Sequence, residues 1–326
     1  MTDEFLMPDD DQFLTPDDEE EANLNVSGQP PARYEETRTG QKKGYTLVDP
    51  HTGDFFRYKN GNKRGITRVT TFVKAASDQG KLHEWGKRNV LIGASRRPDL
   101  VDDAYGLTHE ESKTKLDTLV AQLEEAAGGK VSSRIGTTVH ELTERMDAGL
   151  LDPHDVPPAY RRHVASYAAA LDAAKLRPVP RMIERTVLFK YQTICVVGTF
   201  DRVFWDETSE KYVIGDLKTG RDLSYGWDEI RAQLALYARG HNQYGVYDWN
   251  EDRWEDPIDS EIDTEAGVVM HLPVQGDDAA TCTLLRADLN RGWDYVRLCQ
   301  ANREMRSTRG RPEKWWVSGV DTRPVT

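Results

Sequence analysis

Cysteine is scarce: three residues, Cys195, Cys282 and Cys299, in 326 are too few and too scattered for a disulfide framework or a CxxC metal knuckle, and they read as small core residues. Long hydrophobic runs are missing too. Nothing approaches the roughly eighteen apolar residues of a membrane span, and the chain opens on acids where a secretory leader would place bases and then a greasy run. The expectation is a soluble chain that meets no membrane and works in the cytoplasm. Also absent is the phosphate loop GxxxxGK[ST]; in GDLKTG, Lys218 precedes Gly220 instead of following it, which disfavours a nucleotide-handling enzyme built on that stretch.

Charge is abundant and unevenly divided. The formal net charge is −12, yet residues 1–37 hold twelve acids and one base, residues 38–97 hold fourteen bases and four acids, and the remainder returns to a net −11. A basic segment between acidic ones is either a phosphate-facing surface, favoured by counterion release from a polyanion, or a solvated face. Residues 1–40 show no helical or strand period and are predicted to be a disordered acidic tail. Within it DEFLMPDD, from Asp3, is followed at once by DQFLTPDD, from Asp11. Its pairs Phe5, Leu6 and Phe13, Leu14 would dock a protein partner, or its acids would rest on the basic segment as a polyanion mimic, or the tail simply keeps the chain soluble.

Residues 41–130 read as a basic N-terminal region of strands and helices packed on a core that occupies 131–326. From Tyr45 onward Asp-Pro, Thr-Gly and Asn-Gly turn signals cut the chain into short strands. Apolar residues then recur at three and four positions over 70–95, 109–127 and 134–148, predicting three helices, and RRHVASYAAALDAAKL after Pro158 predicts a fourth. MIERTVLF, CVVGTFDRVFW and KYVIGDLK read as strands, the last two joined in a hairpin by ETSE between Asp206 and Lys211. A helix over WDEIRAQLALYARG, a strand over AGVVMHLPV and a closing helix over DLNRGWDYVRLCQANREM complete an α/β chain.

Two of those strands carry groups that a buried strand does not favour. Asp201 lies inside one apolar run, and Asp216 and Lys218 end the next. Buried charge is costly unless it is paired or bound to a metal. Two carboxylates brought together by a hairpin suit a hard cation such as Mg²⁺ or Mn²⁺, and Lys218, leaving the same strand face as Asp216, would orient or deprotonate a water. A desolvated lysine beside such an ion is expected to have a lowered pKa. The plainer alternative is a buried Asp216–Lys218 ion pair, with Asp201 paired to Arg202 or another base. GTTVH adds His140 on a helix, QLALY puts Gln233 and Tyr237 on one helix face, and Glu184 contributes a carboxylate on the strand expected beside Asp201.

In order, GTTVH (136–140), GTFD (198–201), DLKTG (216–220) and QLALY (233–237) follow the pattern GxxxH, GxxD, DxK, QxxxY. The chain thereby resembles the RecB-like nuclease branch of the PD-(D/E)XK superfamily, which includes CRISPR-associated exonucleases and phage relatives. ITRVTTFVKAASDQGKLHEWGKRN is more loosely similar to the segment that opens some phage members. The resemblance implies a restriction-endonuclease-like core, with a mixed central sheet flanked by helices, and metal-dependent cleavage of DNA. It implies His140, Asp201 and Asp216 as ligands of Mg²⁺ or Mn²⁺, with the backbone carbonyl of Leu217 as a further one, and Lys218 as the catalytic lysine acting with Asp201 and Asp216. Gln233 and Tyr237 become the pair that supports the site and contacts DNA, and Glu184 stands outside the firm pattern. Relatives with an iron–sulfur cluster use four cysteines around the nuclease core, so three at unsuited positions imply no cluster.

The implied partner is DNA, as single strands or duplex ends. The implied setting is recombination, repair or phage genome processing, in the host cytoplasm if the chain is phage-encoded. The competing expectation is a catalytically silent nuclease fold kept for DNA binding or scaffolding. Against it, every polar motif position holds a competent residue.

Overall fold

The structure, a computed structural model, describes residues 46–48, 55–57, 67–78, 80–128, 131–248, 253–256, 258–308 and 310. The acidic tail with Phe5, Leu6, Phe13 and Leu14 lies outside the described residues. In chain order, β1 (Thr46–Val48) and β2 (Phe55–Arg57) form a small antiparallel sheet. β3 (Thr67–Arg68) runs straight into α1 (Val69–Val73), followed by α2 (Gly80–Arg96), α3 (Pro98–Asp102), α4 (Lys113–Ala126), α5 (Val131–Asp147) and α6 (Arg161–Ala173). A meander of β4 (Leu176–Tyr191), β5 (Ile194–Asp206) and β6 (Lys211–Lys218) leads into α7 (Trp227–Tyr244). Then come β7 (Val246–Asp248), β8 (Arg253–Glu255), β9 (Ala266–His271), β10 (Thr283–Asp288) and α8 (Leu289–Ser307).

The central sheet has the order β10-β9-β6-β5-β4-β7-β8, with β3 added beside β5 at Val196 and Val197. Its pairs are antiparallel except β6–β9 and β3–β5, which makes it an open mixed sheet flanked by helices. Strand alternation fills both faces. Val203, Ile214 and Val269 pack with Leu234 of α7 and Val296 of α8, while Phe204, Val213 and Val268 pack with Val139 of α5 and Tyr167 of α6. Each such large apolar side chain contributes about 1.5–3 kcal/mol on burial.

The β5–β6 hairpin forms at the segment the sequence indicated. Asp206 accepts the Thr208 N–H at 2.8 Å and the Ser209 hydroxyl at 2.6 Å, and Glu210 takes a left-handed φ of 54° to return the chain. Elsewhere the periodic reading needs correction. The helix predicted over 70–95 is broken into α1, a single 3₁₀ turn at Lys74–Ala76, and α2, because Ser77 is extended and Asp78 starts a new helix by accepting the Gly80 N–H at 2.9 Å. The helix expected from His109 starts at Lys113, since Thr108 Oγ1 takes the Glu111 N–H in a turn. β7, β8 and β10, of three, three and six residues, were not anticipated; so few positions carry too short a pattern. No described helix is long and apolar enough to cross a membrane.

Candidate active site

The four motifs touch one another. On α5 the face of Gly136 lies against Thr219 at the end of DLKTG, where an added Cβ would come 2.4 Å from Thr219 Oγ1. One turn on, His140 directs Nδ1 toward Asp201 Oδ2 at 3.7 Å. The same Oδ2 accepts the Leu217 N–H at 2.9 Å, tying β5 to β6 beside Asp216 and Lys218. On β5, Gly198 leaves room for Tyr237, whose hydroxyl takes a 3.0 Å hydrogen bond from Gln233 Nε2. The loop after Lys218 is pinned to β9 by Leu272 N–H to the Lys218 carbonyl at 2.9 Å and by His271 Nε2, 2.8 Å from the Gly220 carbonyl oxygen.

A methyl group at Gly198 would lie 2.7 Å from Cε1 and 3.1 Å from the hydroxyl oxygen of Tyr237, whose ring is fully enclosed. Gly198→Ala is therefore expected to cost about 1–3 kcal/mol through overpacking. Urea unfolding measures it, and an unchanged midpoint would contradict this close contact.

Burial sets the electrostatics. It lowers the His140 pKa, opposed by Asp201 and reinforced by Arg202 and Lys218, so the neutral, metal-ligating imidazole is favoured near neutral pH. It raises Asp216 to about 6, with Lys218 opposing and Asp201 adding to the rise. Burial pulls the Lys218 pKa down, but Asp216 and Asp201 outweigh burial and leave the ammonium above its ordinary value. Nζ of Lys218 lies 2.5 Å from Asp216 Oδ2, a close ion pair that keeps the buried carboxylate partnered.

Asp201 does not pair with Arg202. That guanidinium, wholly buried, reaches Asp147 Oδ2 at 2.6 Å and the Tyr167 hydroxyl at 2.7 Å, with Glu144 Oε1 3.9 Å from its Nη2, while Tyr167 also donates to Asp147 at 2.5 Å. Asp147 ends α5, Tyr167 lies on α6 and Arg202 on β5, so this triad clamps both helices to the sheet and sets where His140 stands. It was not foreseen, although an arginine inside an apolar strand is itself a signal that an acid must meet it.

Glu144 was also missed. Its Oε1 is 3.9 Å from His140 Nδ1, and burial, then Glu184 and Asp201, against the pull of Arg202, raise its pKa to about 8. The spacing in HELTE, an acid four residues after the histidine on one helix face, could have revealed it. Glu184 sits between the ladder pairs Ile183–Arg202 and Arg185–Phe200, hence across from Asp201, with a left-handed φ of 50°. A non-glycine residue holds that conformation only where its surroundings impose it.

The structure thus brings His140, Asp201, Asp216, Leu217 and Lys218 together, with Glu184 facing Asp201, and sets Gln233 and Tyr237 behind them. Leu217 buries its side chain in the core, and Tyr237, 1% exposed, is placed to support β5 and has no surface to offer a DNA strand. Among the described residues no group of three or more His, Cys, Asp or Glu is arranged to hold a metal ion: His140 and Asp201 approach as a pair, while Lys218 engages Asp216. The donors nonetheless suit a hard divalent ion, being a neutral imidazole and two carboxylates, one of them buried where its charge needs a cation beside it. Comparison of the chain with protein-family models and with curated proteins finds no match.

Proposed function

We propose that the protein is a metal-dependent deoxyribonuclease on a restriction-endonuclease-like core, acting as an exonuclease in recombination, repair or phage genome processing. The observation that carries this reading is the mutual contact of the four motifs. Gly136 meets Thr219, His140 meets Asp201, Asp201 bonds Leu217, and Gly198 admits Tyr237. Structural packing alone requires the glycines but not four ionisable groups gathered where α5, β5 and the end of β6 meet.

Mg²⁺ or Mn²⁺, when bound, supplies Lewis-acid polarisation of a phosphoryl oxygen and acidifies a water. His140, Asp201 and Asp216 would hold it, Asp201 already oriented by the Leu217 N–H. Lys218, charged, would donate from Nζ to a phosphate oxygen and stabilise the negative charge that builds there during in-line attack. Glu144, its pKa raised to about 8, is mostly protonated near neutral pH, so the negative charge at this end comes from its neighbours Glu184 and Asp201, which repel phosphate unless a cation compensates. Gln233, half-buried, fixes the Tyr237 hydroxyl and retains surface for a strand.

A silent DNA-binding scaffold is favoured by one observation: Lys218 occupies the Asp216 carboxylate. Incubating the full chain with end-labelled single- and double-stranded DNA, in Mg²⁺, Mn²⁺ or EDTA, separates the two. Shortening from the ends only with a divalent ion supports the nuclease. Retarded but intact DNA supports the scaffold, and cutting in EDTA overturns the metal-dependent mechanism.

A further inference from the structure

Seven of the thirteen large apolar side chains that stand exposed among the described residues fall within 82–120, on α2, α3 and α4. Scattered exposed leucines mean nothing, whereas a cluster marks an interaction surface. The far side of α2 sets how it faces. Asn89 is buried there, a methyl group at Gly93 would collide with the Leu123 carbonyl oxygen of α4, and one at Gly86 would come 3.3 Å from Glu124 Oε1. Held that way round, the helix turns Leu82, Trp85 and Ile92 outward, 57%, 48% and 43% exposed. Arg88, three residues after Trp85 and four before Ile92, completes the row.

This row is apolar and basic together. Residues 80–97 hold five bases against one acid, Glu84. Glu84 approaches Arg88 at 3.7 Å with both side chains exposed, a pairing that contributes little and leaves the guanidinium able to engage another acid. A second copy is a poor occupant, since two such rows face to face repel. A nucleic acid strand is a poor one too, because of the three apolar side chains only Trp85 stacks on a base. The chemistry that fits is a peptide with apolar anchors set among carboxylates. Segment 3–18 has it twice over, with Phe5, Leu6 and Phe13, Leu14 among seven acids and no base.

We propose that the outward row of α2 binds an acidic Phe-Leu peptide, and that its occupant is this chain's own segment 3–18. The proposal does not depend on the nuclease reading. Fluorescence anisotropy tests it with a labelled peptide of residues 3–18, added to the unaltered full chain and to a full-length variant combining Phe5→Ser, Leu6→Ser, Phe13→Ser and Leu14→Ser. The peptide should bind the variant saturably, and a further Trp85→Ala or Arg88→Glu should weaken it about tenfold or more. Both side chains are exposed, so these changes should leave the fold intact. On the unaltered chain binding should also be about tenfold weaker or more, because the tethered repeats compete at an effective concentration on the order of millimolar. Absence of saturable binding, equal binding to the two chains, or an affinity indifferent to Trp85→Ala or Arg88→Glu would each overturn it. So would oligothymidylate binding through Trp85 where the peptide does not bind, which makes the occupant a nucleic acid strand, or Trp85-dependent dimers in sedimentation, which make it a second copy.

Discussion

Lys218→Ala is expected to lower the Mg²⁺-dependent cleavage rate by about 10²–10³-fold while DNA binding persists. Among the described residues the ammonium is the cation that pairs with Asp216, and its raised pKa keeps it charged, so its contribution is a charge and an N–H at the reacting phosphate. Lys218→Arg should not restore the rate, because a planar guanidinium fork cannot replace a point charge at this spacing. Single-turnover cleavage of end-labelled DNA by both variants is the measurement. Rates within about threefold of the unaltered chain would place the chemistry elsewhere, since loss of one transition-state donor costs far more than that.

Arg202→Met should destabilise the fold by about 3–5 kcal/mol, because it strands the Asp147 carboxylate in the core. Asp147 is 1% exposed at its side chain, and apart from Arg202 it retains only the Tyr167 hydroxyl. Since the clamp joins α5 to β5, activity should fall with stability as His140 loses its place. Combining Arg202→Met with Asp147→Leu should recover much of the loss, the two changes being strongly non-additive. Urea unfolding of the single and double variants gives the coupling. A loss below about 1 kcal/mol for Arg202→Met would show that the buried guanidinium is not what holds the helix.

Much of this was legible from local pattern. The hairpin followed from ETSE between two apolar runs, and α5, α6, α7 and α8 followed from helical period, because these features depend on residues close in sequence. Motif spacing also singled out His140, Asp201, Asp216 and Lys218, which do lie together. Three things escaped it. The helix break at Ser77 depends on one capping side chain, Glu144 acquires meaning only beside Glu184 and Asp201, and Arg202 finds its partner on a helix 55 residues away.

By itself, then, the sequence determined which segments are strands and helices and which ionisable groups stand at their ends, since apolar period and turn chemistry act over a few residues. Tertiary structure alone decided that Arg202 turns to Asp147 and leaves Asp201 to Leu217, and that Asp216 and Asp201 outweigh burial and raise the Lys218 pKa. The physical reason is that desolvation and Coulomb terms depend on depth and on neighbours from other elements, and no spacing along the chain encodes either.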